Sequence, residues 1–233
     1  VDGTLFVSKG AGAGLPWATM RGTGNTGISA YNAPADYNFV GWGDDNTSTD
    51  QFRNLMRSRF GFNTGPTIPD TDTIDSATLS LWGTSKTDPN SDTPNIDIYT
   101  VTPGSNTTLA TDDYDQFGSV SQTGSPITYA NFSTTAYNDF TLNATGRGNI
   151  SKTGITNFGT RTANYDVSGT VPVYTPTAIS DTDLVGYFAD QTGTDKDPFF
   201  EFPESYSKTK NQEIAKGFEK VIQDLVNKSI NKT

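Results

Sequence analysis

Asp112, Asp113 and Asp115 stand together around Tyr114 and put several carboxylates into one short stretch. Hard oxygen donors at that density suit Ca²⁺, with loop carbonyls completing the shell; the plainer role is that of solvated turn residues. Asp44 and Asp45 with Asp50, and Asp181 with Asp183, are comparable clusters. None has EF-hand spacing, since the Glu at the twelfth position is missing. Ca²⁺ is the cofactor these residues suggest. A second chemistry is stacking. Trp17, Tyr31, Tyr37, Trp42, Tyr174 and Tyr187 could offer ring faces to a sugar, and Trp42 and Tyr174 are the named candidates. Tyr174 lies in a proline-bearing segment, Pro172 to Pro176, that reads as an exposed loop. Core packing is the competing fate of such rings. Arg57 and Arg59, two apart, share one strand face and either bind an acidic sugar or phosphate or pair with Asp and blunt or rim the sheet.

Composition removes other chemistries. The chain has 233 residues with neither His nor Cys, which excludes a thiol nucleophile, a histidine base and the usual zinc and iron–sulfur sites. A net charge of -10 disfavours broad attraction to nucleic acid or anionic membrane. Glu occurs only at Glu201, Glu204, Glu213 and Glu219, so the poised acid of a glycosidase has few candidates. The chain contains no Gly-x-Ser-x-Gly elbow, Walker A loop or dinucleotide fingerprint. A non-enzymatic role is expected. No run of 18 apolar residues occurs, so no membrane-spanning helix is expected. The 56 Ser and Thr and 23 Gly resemble the usage of an extracellular or cell-surface β protein.

The elements that would position these groups are strands. Met56, Ser58, Phe60 and Phe62 alternate with Arg57 and Arg59, which predicts a half-buried strand. Ile74 to Trp82 follows, with Ala77, Leu79 and Leu81 facing together, and Asn95 to Val101 repeats the pattern. Shorter strands are expected at Thr4–Ser8, Tyr37–Gly43, Ile127–Tyr129, Tyr137–Leu142, Asn157–Arg161, Leu184–Ala189 and Pro198–Phe202. Residues 143–150 suggest one helical turn, and 84–94 a polar loop. Strands joined by long polar loops imply an all-β fold, an antiparallel two-sheet jelly-roll-like β-sandwich. It would span 1–206, with 1–20 as an extended arm able to add to a neighbour's sheet edge.

Beyond 207 the grammar changes. Residues 1–200 carry 21 Asp and no Glu, whereas 201–233 carry 4 Glu, 1 Asp and 6 Lys. Ile214, Phe218, Val221, Leu225 and Ile230 fall on one stripe, predicting a C-terminal amphipathic helix over 207–233. An isolated helix of that length is marginal, so the stripe needs a surface, on another chain or on its own sandwich.

Arg53 to Phe62, then Ile68-Pro69 and Ile74-Asp75-Ser76-Ala77-Thr78-Leu79-Ser80-Leu81-Trp82, resemble the DNRLRE-type β-sandwich domains of bacterial and archaeal surface proteins. Asp195 to Phe202 looks like that family's closing strand. Related sequences include carbohydrate-binding modules and phage virion or fibre proteins. The resemblance covers about 50–202 and implies a jelly-roll-like module without catalysis, used for surface structure or glycan contact. The expected function is a structural or adhesive subunit of an extracellular assembly or virion, held by its C-terminal helix to copies of itself or to a neighbouring capsid or surface protein. The alternative is a carbohydrate-binding module of a secreted or cell-surface protein, with glycans as partners.

Overall fold

The computed structural model describes residues 1–9, 13–24, 27–32, 36–45, 52–65, 68, 71, 73–175, 180–189, 193–202 and 220. They form β1 (Asp2–Ser8), α1 (Trp17–Arg21), β2 (Ile28–Tyr31), β3 (Asp36–Asp44), β4 (Phe52–Asn63), β5 (Thr78–Thr87) and β6 (Ile96–Thr100). A 3₁₀ turn at Thr111–Gln116 precedes β7 (Tyr137–Thr141), α2 (Ala144–Gly148) and β8 (Ile155–Thr162). A π turn at Ala163–Val167 leads to β9 (Asp181–Tyr187) and β10 (Phe199–Glu201). Every strand pairing is antiparallel.

The expected two-sheet jelly roll is not what forms. The strands make one open, hydrogen-bonded network in the order β10-β5-β9-β3-β4-β1-β2, with β7 joined to β5, and β8 bridging β4 and β6. The cause is strand length. β4 has 12 residues, enough for its first half to pair with β3 and its second half with β8. β5 pairs with β7 through Trp82 and with β9 from Gly83. Long strands that change partners part-way join surfaces that would otherwise be separate sheets.

The expected C-terminal helix has no support either. Among the described residues the α-helices have five residues each. The stripe Ile214, Phe218, Val221, Leu225 and Ile230 lies outside the described residues. Residues 2–8 are not an arm: β1 sits inside the sheet, between β2 and β4. Ile127 contributes only an isolated bridge to Ile96.

Two apolar clusters hold the network. Phe39, Phe60, Leu79, Leu81, Ile98, Phe158 and Phe188 belong to the larger. The smaller joins Leu5, Val7, Leu55 and Phe52 to Trp17, Met20 and Trp42. α1 is short and starts after Pro16, yet it stays because Trp17 and Met20 bury its inner side. Burial, not propensity, sets these elements.

Candidate functional site

The residues nominated for Ca²⁺ do not converge. Asp113 is buried, and Arg59 Nη1 donates to its Oδ2 at 2.9 Å. The Gly104 and Ala110 amides also donate to Asp113, at 3.1 and 3.2 Å. Asp112 is exposed, whereas Asp115 accepts the Gly24 amide at 2.9 Å. Successive residues of the 3₁₀ turn project in different directions, so adjacency in sequence does not make a cage. Among the described residues, no three acidic side chains are arranged to hold a metal ion. Asp50 lies outside the described residues.

The two stacking candidates differ in burial. Trp42 is 1% exposed, with Trp17 at 5.7 Å and Tyr165 at 4.9 Å between ring centroids. Tyr174 packs on the smaller cluster, and its hydroxyl donates to the Asp45 carbonyl. Trp42 is therefore no surface platform, which corrects its sugar-stacking assignment, while Tyr174 is half-buried.

Arg57 and Arg59 pair with Asp but do not rim the sheet: they are 3% and 0% exposed. Arg57 donates from Nε and Nη2 to Asp166, each at 2.8 Å, and from Nη1 to the Tyr114 carbonyl. Arg161 grips the same two oxygens of Asp166, again at 2.8 Å. This carboxylate is held well below its ordinary pKa: burial opposes ionisation, and the guanidiniums of Arg57 and Arg161 overcome it. The network locks the π turn to β4 and β8. It is a structural clamp.

An available chemical surface lies elsewhere. On β5, Leu79 and Leu81 face the core, which sends Trp82 to the outer side. Tyr137 of β7 stands opposite Trp82, their centroids 5.0 Å apart at 86°. Phe199 of β10 meets Tyr137 edge-on at 4.9 Å and is 39% exposed. Tyr187 of β9 adds a further ring, half-buried like Trp82 and Tyr137. The Lys196 ammonium lies 5.2 Å from the Trp82 centroid and 5.3 Å from that of Tyr187. The Tyr137 hydroxyl anchors the loop that carries Lys196, donating to the Asp195 carbonyl at 2.9 Å. Burial first, then the nearby Asp197 and Asp195 carboxylates, raise the pKa of Tyr137 and keep it a donor. The arrangement is a slot for an ammonium group, where ring faces attract the cation. Trp82 was absent from the sequence-derived candidates, although the alternation with Leu79 and Leu81 already turned it outward.

Comparison with family models, curated proteins and solved structures returned no match. The DNRLRE-type resemblance therefore rests on its motifs alone. The expected role as an assembly subunit held by a C-terminal helix is overturned: no described helix is long enough to anchor or oligomerise the chain. The alternative of a glycan module built on Trp42 and Tyr174 loses Trp42, whose ring is buried, and is left with the half-buried Tyr174 alone.

Proposed function

We propose that the chain is a non-enzymatic recognition module that takes a lysine-bearing, basic protein partner on the outer face of β5, β7, β9 and β10. The observation that carries this reading is Lys196, whose ammonium occupies the slot between Trp82 and Tyr187. A site that accepts the chain's own ammonium has the geometry to accept another. The net charge of -10 supplies long-range attraction to a basic partner.

Intrinsic fluorescence tests it. Trp17 and Trp42 are buried, so quenching by a solution ligand reports on Trp82. A lysine-rich peptide is expected to change that emission, less so as salt rises. Trp82→Ala should abolish binding while the fold persists, and Lys196→Gln should tighten it by vacating the slot. Equal binding by Trp82→Ala, or binding of neutral oligosaccharides in place of the peptide, overturns the reading.

A further inference from the structure

Asp44, at the end of β3, is 1% exposed, and Asp92, in the loop between β5 and β6, is 4% exposed. Both clasp one edge of the segment 173–175. The Val173 amide donates to Asp92 Oδ1 at 2.7 Å, and the Thr175 amide to Asp44 Oδ2 at 3.2 Å. The two carboxylates thus hold amides two residues apart in the chain. Asn90 stands between them: its Nδ2 donates to Asp44 Oδ2 at 3.0 Å and to the Val173 carbonyl at 3.1 Å. Ser180 Oγ donates to Asp44 Oδ2 at 2.8 Å.

Each carboxylate keeps an oxygen with no partner. Asp44 Oδ1 and Asp92 Oδ2 are buried and accept no hydrogen bond among the described residues. Among the described residues no ion pair is formed by either acid, and Arg53 is committed to Asp181, at 2.5 Å. Buried carboxylate oxygens without partners are costly, and the Asp44 charge also bears on Asp92. Among the described residues neither acid has an arginine like those that neutralise Asp113 and Asp166.

The loop chemistry points to a ligand. Asp88, Asn90 and Asp92 have the two-residue spacing of the first three oxygen donors of a Ca²⁺-binding loop. Thr93, sixth counting from Asp88, has φ 55°, and Ser91 has φ 59°. The sixth place is where such a loop turns sharply and ordinarily carries Gly. Here Asp88 is spent on capping, accepting the Asp92 and Thr93 amides at 2.8 Å each. Tyr99 stands at the twelfth place in lieu of Glu, so a second acid must come from another element. Asp44 is that acid.

We infer that Asp44 and Asp92, with Asn90 positioning Asp44 through its side-chain amide, bind a Ca²⁺ ion that fastens the 173–175 segment to β3 and to the β5–β6 loop. Two carboxylates neutralise the ion, and neutral oxygens complete a shell of hard donors. The site is independent of the aromatic face, and either can fail alone.

The test uses the full chain, stripped with EDTA. Calorimetric titration with CaCl₂ is expected to show a single class of site, and melting is expected to occur at higher temperature in Ca²⁺ than in EDTA. Asp92→Asn and Asp44→Asn should lose both responses yet melt in EDTA no lower than the parent, because each removes an uncompensated buried charge. Asn90→Ala should weaken binding without abolishing it. Asp112→Asn and Asp115→Asn should respond like the parent. Absence of any Ca²⁺ response in the parent, or a full response in Asp92→Asn, overturns the site. An equal response to Mg²⁺ overturns its assignment to Ca²⁺.

Discussion

Arg57 and Asp166, 109 residues apart in sequence, meet as a buried bidentate pair with both nitrogen–oxygen distances at 2.8 Å. Arg161 repeats the grip on the same carboxylate, and Arg21 approaches it to 4.0 Å. Several cations thus share one anion. Carbonyls absorb the excess, with Arg57 bonded to Tyr114 O and Arg161 to Gly118 O. The Tyr114 ring adds a π face 4.2 Å from the Arg57 guanidinium. Asp166 is the hub, and its arginines depend on it.

Replacing that hub should therefore cost more than replacing an ordinary surface acid. Asp166→Asn keeps the shape but leaves Arg57 and Arg161 buried without a counter-charge, a loss of about 3–5 kcal/mol. Urea unfolding followed by circular dichroism would show the midpoint falling. A change below about 1 kcal/mol, the range of exposed pairs, would mean the clamp is not load-sharing with the core.

Stability should pass through a maximum in mild acid when Ca²⁺ is removed. The arginines hold the folded Asp166 pKa well below the unfolded value of about 4, so its contribution is complete above that pH and lost below it. Asp44, Asp92 and Asp183 behave oppositely, because burial is the largest cause acting on each and raises its pKa. Ionised at neutral pH they weaken the fold, and that penalty fades as acid protonates them. The melting temperature in EDTA should rise as the pH falls from 7 and then decline once it drops below the unfolded carboxylate value of about 4. A steady decline from pH 7 downward would contradict this.

The strand alternation of β4 and β5 was legible because one side of each reads as apolar. The pairing of Arg57 and Arg59 with Asp was legible but their burial was not: charge at alternate positions signals solvent, yet Asp166 and Asp113 arrive from 109 and 54 residues away to bury it. Nothing local encodes such a partner. β2 escaped notice because Ile28, Ser29, Ala30 and Tyr31 are ordered by pairing with β1 rather than by their own pattern. Asp88, Asn90 and Asp92 fell within a stretch that read only as a polar loop, and Asp44 meets Asn90 only through tertiary contact.

Trp42 and Trp82 should separate folding from contact. Trp42→Ala empties a site walled by Trp17 and Tyr165, and core truncations of this size cost about 3–5 kcal/mol. Trp82→Ala removes a half-buried ring and should cost about 1–2 kcal/mol. Thermal melts would rank them. Comparable losses would place Trp82 in the core and remove it as a contact residue.

Gly186 offers a sharper test, because it lies on β9 between the core and the aromatic face. It pairs with Gly83 of β5, and a Cβ there would run into the Phe39 ring and the Trp82 carbonyl. Phe39 cannot retreat freely, since Phe60 and Phe188 stand 5.7 and 5.4 Å from it. Gly186→Ala should destabilise by about 1–3 kcal/mol through overpacking. Adding Phe39→Leu separates the two obstacles. If the ring is the main one, the double variant should be more stable than the sum of the single losses predicts. If the carbonyl is, the losses should add, because backbone cannot be trimmed. The second outcome would also displace Trp82 itself, and its emission should then shift in the Gly186→Ala variant with no ligand added.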